Sequence, residues 1–204
     1  MLLLPALLLA CKIATIRPIE RGDGGEGAQG FDAATYVESL WIEDVPAALE
    51  RAVDLRDLLP AVAADPEAAG ARWGRREGSG PFHVLVTGSG RVVAVDTSSR
   101  VGTAVVEIET PEGAEQARLQ IGPVLRGTSI RDALPTVSFD HFVNQIQYAD
   151  VAGALNARVE AEILESLERE TLVGMRVHLA GATTLGSDGP LTVTPVRLEI
   201  GEGP

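Results

Sequence analysis

The hydrophobic positions of this chain change period twice. From Phe31 the segment FDAATYVESLWIED places Tyr36, Val37, Leu40 and Trp41 at helical spacing, with Asp32 as its N-cap, which predicts a helix from about Asp32 to Asp44. Pro46 then marks either a break or the first turn of a second helix, because its nitrogen has no hydrogen to donate. Leu49, Val53, Leu55, Leu58 and Leu59 continue an apolar face that Pro60 and Pro66 punctuate. The stretch 31–75 therefore reads as a small helical subdomain, closed by a turn-rich joint at Gly74–Pro81.

Beyond the joint the period becomes two. Phe82, Val84 and Val86 alternate with polar residues, followed by Val93 and Val95, Val106 and Ile108, and Leu119 and Ile121. With Gly88-Ser89-Gly90 and Pro111-Glu112-Gly113 as hairpin connections, four strands in a meander are expected. A long helix from about 148 to 167 follows, with Val151, Leu155, Val159, Ile163, Leu164 and Leu167 as its buried stripe. Two closing strands, Val173–Gly181 and Leu191–Ile200, flank the turn Gly186-Ser187-Asp188-Gly189. The fold class is α+β: a helical subdomain, then over 81–204 an antiparallel OB-like β-barrel with one long helix between strands.

The front of the chain has a different character. Met1–Ala10 is an uncharged apolar run, too short for a bilayer span of about 20 residues and suited to the core of a secretion signal. Leu8-Leu9-Ala10-Cys11 resembles a bacterial lipobox, in which the cysteine is acylated and becomes the mature N-terminus, although no basic residue precedes the apolar run. Cys11 is the only cysteine of the 204 residues, so acylation leaves no thiol to oxidise outside the cytoplasm. Residues 11–30, rich in Gly, Asp, Glu and Gln, read as a flexible tether. Lys12 after the cysteine leaves inner against outer membrane open.

Charge and chemistry narrow the function. A net charge of −12 opposes nucleic acid and anionic surfaces, and no basic strand studded with aromatic residues offers oligonucleotides a platform. The densest polar stretch is 121–156, where Arg126, Arg131, Asp132, Asn144, Gln145, Tyr148, Asp150 and Asn156 could bind a hydroxyl-rich or carboxylate ligand, or could instead pair among themselves. Asp96 and Arg100, in DTSSR, form a second candidate, which an ordinary Asx turn would equally explain. His83, His141 and His178 have no metal-ligand spacing, and no nucleophile elbow or phosphate-binding loop is present. No catalytic residue, metal or cofactor is assigned. A carbohydrate enzyme would need two carboxylates about 5–10 Å apart, for which Asp132, Asp140 and Asp150 are the candidates.

The central motif QIGPVLRGTSIRDALPTVSFDHFVNQIQYADVAGALN, with FDAATYVESLW, VDTSSRVG and VTPVRLEI, resembles an uncharacterised family of predicted periplasmic lipoproteins. That resemblance implies a lipid anchor on the periplasmic side and, because such proteins are often encoded beside sugar ABC transporters, an accessory role in carbohydrate uptake. A transporter subunit or a small carbohydrate is then the expected partner; a purely structural lipoprotein is the alternative.

Overall fold

The computed structural model describes residues 30–186 and 189–201. The lipobox, residues 12–29 of the tether and Ser187-Asp188 of the last expected turn lie outside the described residues. Contacts divide the chain into Met1–Phe31 and Asp32–Pro204, and the fold belongs to the second unit.

Helix α1 (Ala33–Ser39) starts where the sequence places it, with the Asp32 carboxylate accepting from the Ala34 and Thr35 amides. A widened turn at Leu40–Asp44 follows and leads directly into α2 (Val45–Leu49). Pro46 thus sits in a first turn and does not break the path, since a missing donor costs nothing there. A two-residue strand, β1 (Val53–Asp54), comes next and was not expected. Asp54 then caps α3 (Leu55–Ala64), and Asp65 caps α4 (Pro66–Trp73). Leu55 and Leu58 of α3 are fully buried.

The sheet corrects the expected meander. Strand β2 (His83–Asp96) runs unbroken through Gly88-Ser89-Gly90, so three strands stand where four were expected and those glycines make no hairpin. The reason is close approach: a Cβ on Gly90 would lie 2.3 Å from the Glu107 carbonyl, and one on Gly88 would press on Leu55 of α3. Strands β3 (Thr103–Thr110) and β4 (Gly113–Gln120) do form a hairpin at Pro111-Glu112, with Gly113 at φ 131°.

After β4 the chain forms α5 (Ser129–Ala133), a 3₁₀ turn at Phe139–His141 and the long helix α6 (Gln145–Val159), which a widened turn extends to Leu164. Helix α6 begins three residues before the expected start because Asn144 caps it, accepting from the Gln147 amide. Val151, Leu155 and Val159, spaced by four, are its buried stripe. Strands β5 (Arg176–Thr184) and β6 (Thr192–Gly201) complete the chain.

The sheet has six strands in the order β1-β2-β3-β4-β6-β5, and β2 also pairs with β5, so the ladder that leaves β2 returns to it. It is not wholly antiparallel as expected: β1–β2 and β4–β6 are short parallel pairings, and the other four ladders are antiparallel. Val84, Val86, Val106, Leu119, Ala182 and Val193, on alternate positions, fill the interior.

Candidate functional site

Two polar places stand out. The first is built around Asp132 at the end of α5. Arg131, only 8% exposed, reaches back to Asp132 Oδ1 with Nε at 2.8 Å and Nη2 at 2.7 Å. Tyr148, in the first turn of α6, donates its hydroxyl to the same oxygen at 3.1 Å and lays its ring 3.6 Å from the Arg131 guanidinium carbon. Arg131 Nη1 also donates to the Tyr148 carbonyl at 2.9 Å, while the Thr128 hydroxyl donates to Asp132 Oδ2.

From the start of β2, His83 Nε2 stands 3.7 Å from Asp132 Oδ2, and its Nδ1 pairs with the Thr184 hydroxyl at 3.0 Å. Arg75 ties the Asp132 and Leu134 carbonyls at 3.2 and 3.1 Å. A cavity of about 150 Å³ opens among Glu77, Pro81, His83, Arg131, Asp132 and Tyr148.

Electrostatics make this network poor at proton transfer. Burial, with the Asp132 charge beside it, pushes the Tyr148 phenol up to about 12, so at neutral pH it is a donor and not a base. Burial also holds the His83 imidazole below its ordinary value, against the upward pull of Asp132 and with Arg131 and Arg75 adding to the drop. Asp132 is ringed by donors from Arg131, Tyr148 and Thr128 and has little acceptor capacity to spare. Asp140 and Asp150 are both exposed and line neither cavity described in this section.

The second place is a cavity of about 290 Å³ at one end of the sheet, lined by Thr103, Gln120, Arg126, Ser129, Thr184 and Thr194 among others. Its floor is fixed. Gln120 Nε2 donates to Thr194 Oγ1 at 2.7 Å and to the Arg126 carbonyl at 3.1 Å, while its Oε1 accepts from the Arg126 amide at 2.9 Å. Ser129 adds a 3.1 Å bond to the same Thr194 oxygen. Gln120, Ser129 and Thr194 are buried, whereas Arg126 is exposed at the rim.

The sequence candidates therefore scatter. Arg131, Asp132 and Tyr148 come together, and Arg126 reaches the larger cavity. Asn144 is a helix cap, and Asn156 Nδ2 holds the Gly127 carbonyl at 3.0 Å. Gln145 is exposed. Asp96 accepts from the Ser98 amide at 2.9 Å in an Asx turn, and the Ser98 side chain, with that amide second, lowers its carboxyl below the usual range; Arg100 is exposed nearby. Sequence reasoning missed the site roles of His83, Thr103, Gln120, Thr184 and Thr194. The available signal was polar side chains such as Gln120 and Thr194 at strand positions whose neighbours are apolar.

Among the described residues, no group of three or more His, Cys, Asp or Glu is placed to hold a metal, and no helix is long and apolar enough to cross a membrane. No curated protein matches the chain. An OB-fold protein from Thermotoga maritima, known from its crystal structure, superposes with a TM-score of 0.69 at 22% identity, covering 85% of this chain and 100% of that one. The six-stranded sheet with its inserted helix is thus of the OB class. Over residues 1–199 the chain matches the family described as "Predicted periplasmic lipoprotein (DUF2291)" and belongs to it. It is accordingly a lipid-anchored protein of the periplasmic side of the envelope.

Proposed function

We propose that Cys11 carries the lipid and that the folded unit is a binding module, accessory to carbohydrate uptake, that takes a small hydroxyl-rich ligand in the 290 Å³ cavity. The observation that carries this reading is the lining: Thr103, Thr184 and Thr192 from three strands converge with Gln120 and Ser129 at the end of the sheet. Gln120 and Ser129 fix the floor, the threonine hydroxyls can both donate to and accept from a sugar's hydroxyls, and the threonine methyls offer an apolar surface to its C–H face. The volume suits one sugar ring better than an oligosaccharide. The transport link rests on the family resemblance, with a sugar ABC transporter as the neighbouring machinery.

Thermal denaturation against a panel of monosaccharides tests the ligand. A sugar at 100-fold its Kd adds about 2.7 kcal/mol, which raises Tm by roughly 5–10 °C in a unit of this size. Thr184→Val should abolish that rise while leaving the ligand-free Tm within a few degrees. If no sugar moves Tm, the small-ligand reading fails. Mass spectrometry of protein from the native membrane tests the anchor, which requires an N-terminal diacylated Cys11. A second reading, a structural envelope lipoprotein, is favoured by the Arg131–Asp132–Tyr148 network, whose bonds are made within the protein.

A further inference from the structure

We infer that the segment Phe139–Ile146 is a lipid-contacting surface, seated in the headgroup region of the membrane that holds the anchor. Val143 is 80% exposed, Ile146 72% and Phe139 37%, three large apolar side chains within eight residues on the surface of an acidic protein. Such a cluster marks an interaction site more often than an accident of the surface.

The segment is held from within by aromatic packing. Phe139 and Phe142 both pack against the Tyr148 ring, at 5.5 and 5.4 Å between centroids, and Phe142 also meets Tyr36 at 5.5 Å. Phe142 is buried at 8%, whereas Val143 and Ile146 stand outward. Several backbone donors in and beside it are engaged: His141 N–H to the Ser138 carbonyl, Phe142 N–H to Phe139, Val143 N–H to Gln147 Oε1 and Gln147 N–H to Asn144 Oδ1.

Position selects a membrane as the occupant. Helices α1 and α6 lie in the same sense, since Tyr36 meets Phe142 just before α6 whereas Trp41 Nε1 reaches Glu162 Oε2 beyond its far end. Asp32, where the folded unit begins, is thus on the side of Val143 and Ile146. Only residues 11–31 separate it from the proposed acylation site. Whatever their conformation, 21 residues reach at most about 70 Å. A weak interfacial contact then forms intramolecularly, at high effective concentration. The segment holds Asp140 and no Lys or Arg, which favours zwitterionic over anionic lipid.

This inference rests on acylation at Cys11, and the test separates the two. Full-length lipidated protein from native membranes is reconstituted into phosphatidylcholine–phosphatidylethanolamine vesicles, with a nitroxide on Val143→Cys, Ile146→Cys or Ile42→Cys. Ile42 is also exposed, at 64%, but follows Trp41 at the other end of the helix pair. With Cys11 acylated, each added thiol is the only free one.

Oxygen accessibility relative to a soluble nickel chelate should rise at least threefold at positions 143 and 146 over position 42. Added anionic lipid should reduce that ratio. Accessibility equal to position 42 in vesicle-bound protein overturns the lipid contact, as does dipolar coupling between labels of two copies, which would make the patch a self-interface. Protein that fails to float with vesicles at all refutes the anchor instead.

Discussion

Gly122 lies so close to Gly102 that a Cβ built on it would stand 2.4 Å from the Gly102 nitrogen and 2.3 Å from the Arg100 carbonyl. The same approach lets the Gly102 carbonyl accept from both Ile121 and Gly122, at 2.9 and 3.0 Å. It pins the loop after β2 to the end of β4, beside Val101 and Thr103 of the larger cavity. Since the opposing atoms are backbone, no rotamer change relieves the clash. Gly122→Ala should therefore cost about 3 kcal/mol, a fall in Tm of roughly 6–12 °C by calorimetry. An unchanged Tm would show that the two loops can separate freely.

The pair Arg131 and Asp132 should behave as one unit. Their side chains are 9% and 15% exposed, so removing the carboxylate strands a guanidinium in a setting with little water. Asp132→Leu alone should cost about 4 kcal/mol in urea denaturation. Arg131→Met combined with Asp132→Leu should cost less than that single change, because the orphaned charge goes too. Strict additivity of the two substitutions would contradict the unit.

Stability should depend on pH through His83. Burial holds its imidazole below the ordinary 6.5, so between 6.5 and the folded value the unfolded chain binds a proton that the folded one refuses. Stability consequently rises with pH in that window. It is lost progressively as pH falls below 6.5, until the folded value is passed. His83→Gln should flatten this part of a Tm profile between pH 7.5 and 5; parallel profiles for the two proteins would refute the linkage.

Gln120 clamps the loop that follows β4. Gln120→Leu removes three hydrogen bonds, two of them to the Arg126 backbone. The Arg126 groups can turn to water, so the expected cost is about 2 kcal/mol and not the sum of three bonds. Faster amide exchange at Arg126, with slow exchange retained on β5, is the specific sign.

The alternation of Val84 and Val86, of Val106 and Ile108, and the four-residue spacing of Val151, Leu155 and Val159 made the strands and α6 readable in the sequence, since each follows from a single element burying one face. What escaped depends on distant neighbours. Gly88 and Gly90 have the composition of a turn, and only Leu55 and the Glu107 carbonyl pressing on them explain why the strand continues. Likewise Arg131, Asp132 and Tyr148 lie within 18 residues and were singled out together, whereas His83 and Thr184 join them from partnered strands. The larger cavity is assembled from four strands and α5, so no window of sequence contains it.

The lie of α1 along α6 also has a mechanical meaning. Any pull entering from the front of the chain reaches Asp32 first and is passed through Tyr36 against Phe142, then through Glu38 gripping Arg158 at 2.8 Å and Trp41 at Glu162. These contacts lie one after another along the helix, so they would peel in turn, as a zip opens, before tension arrives at the sheet. Under such a load β2, laced to three other strands, would keep its register after the first helix had parted.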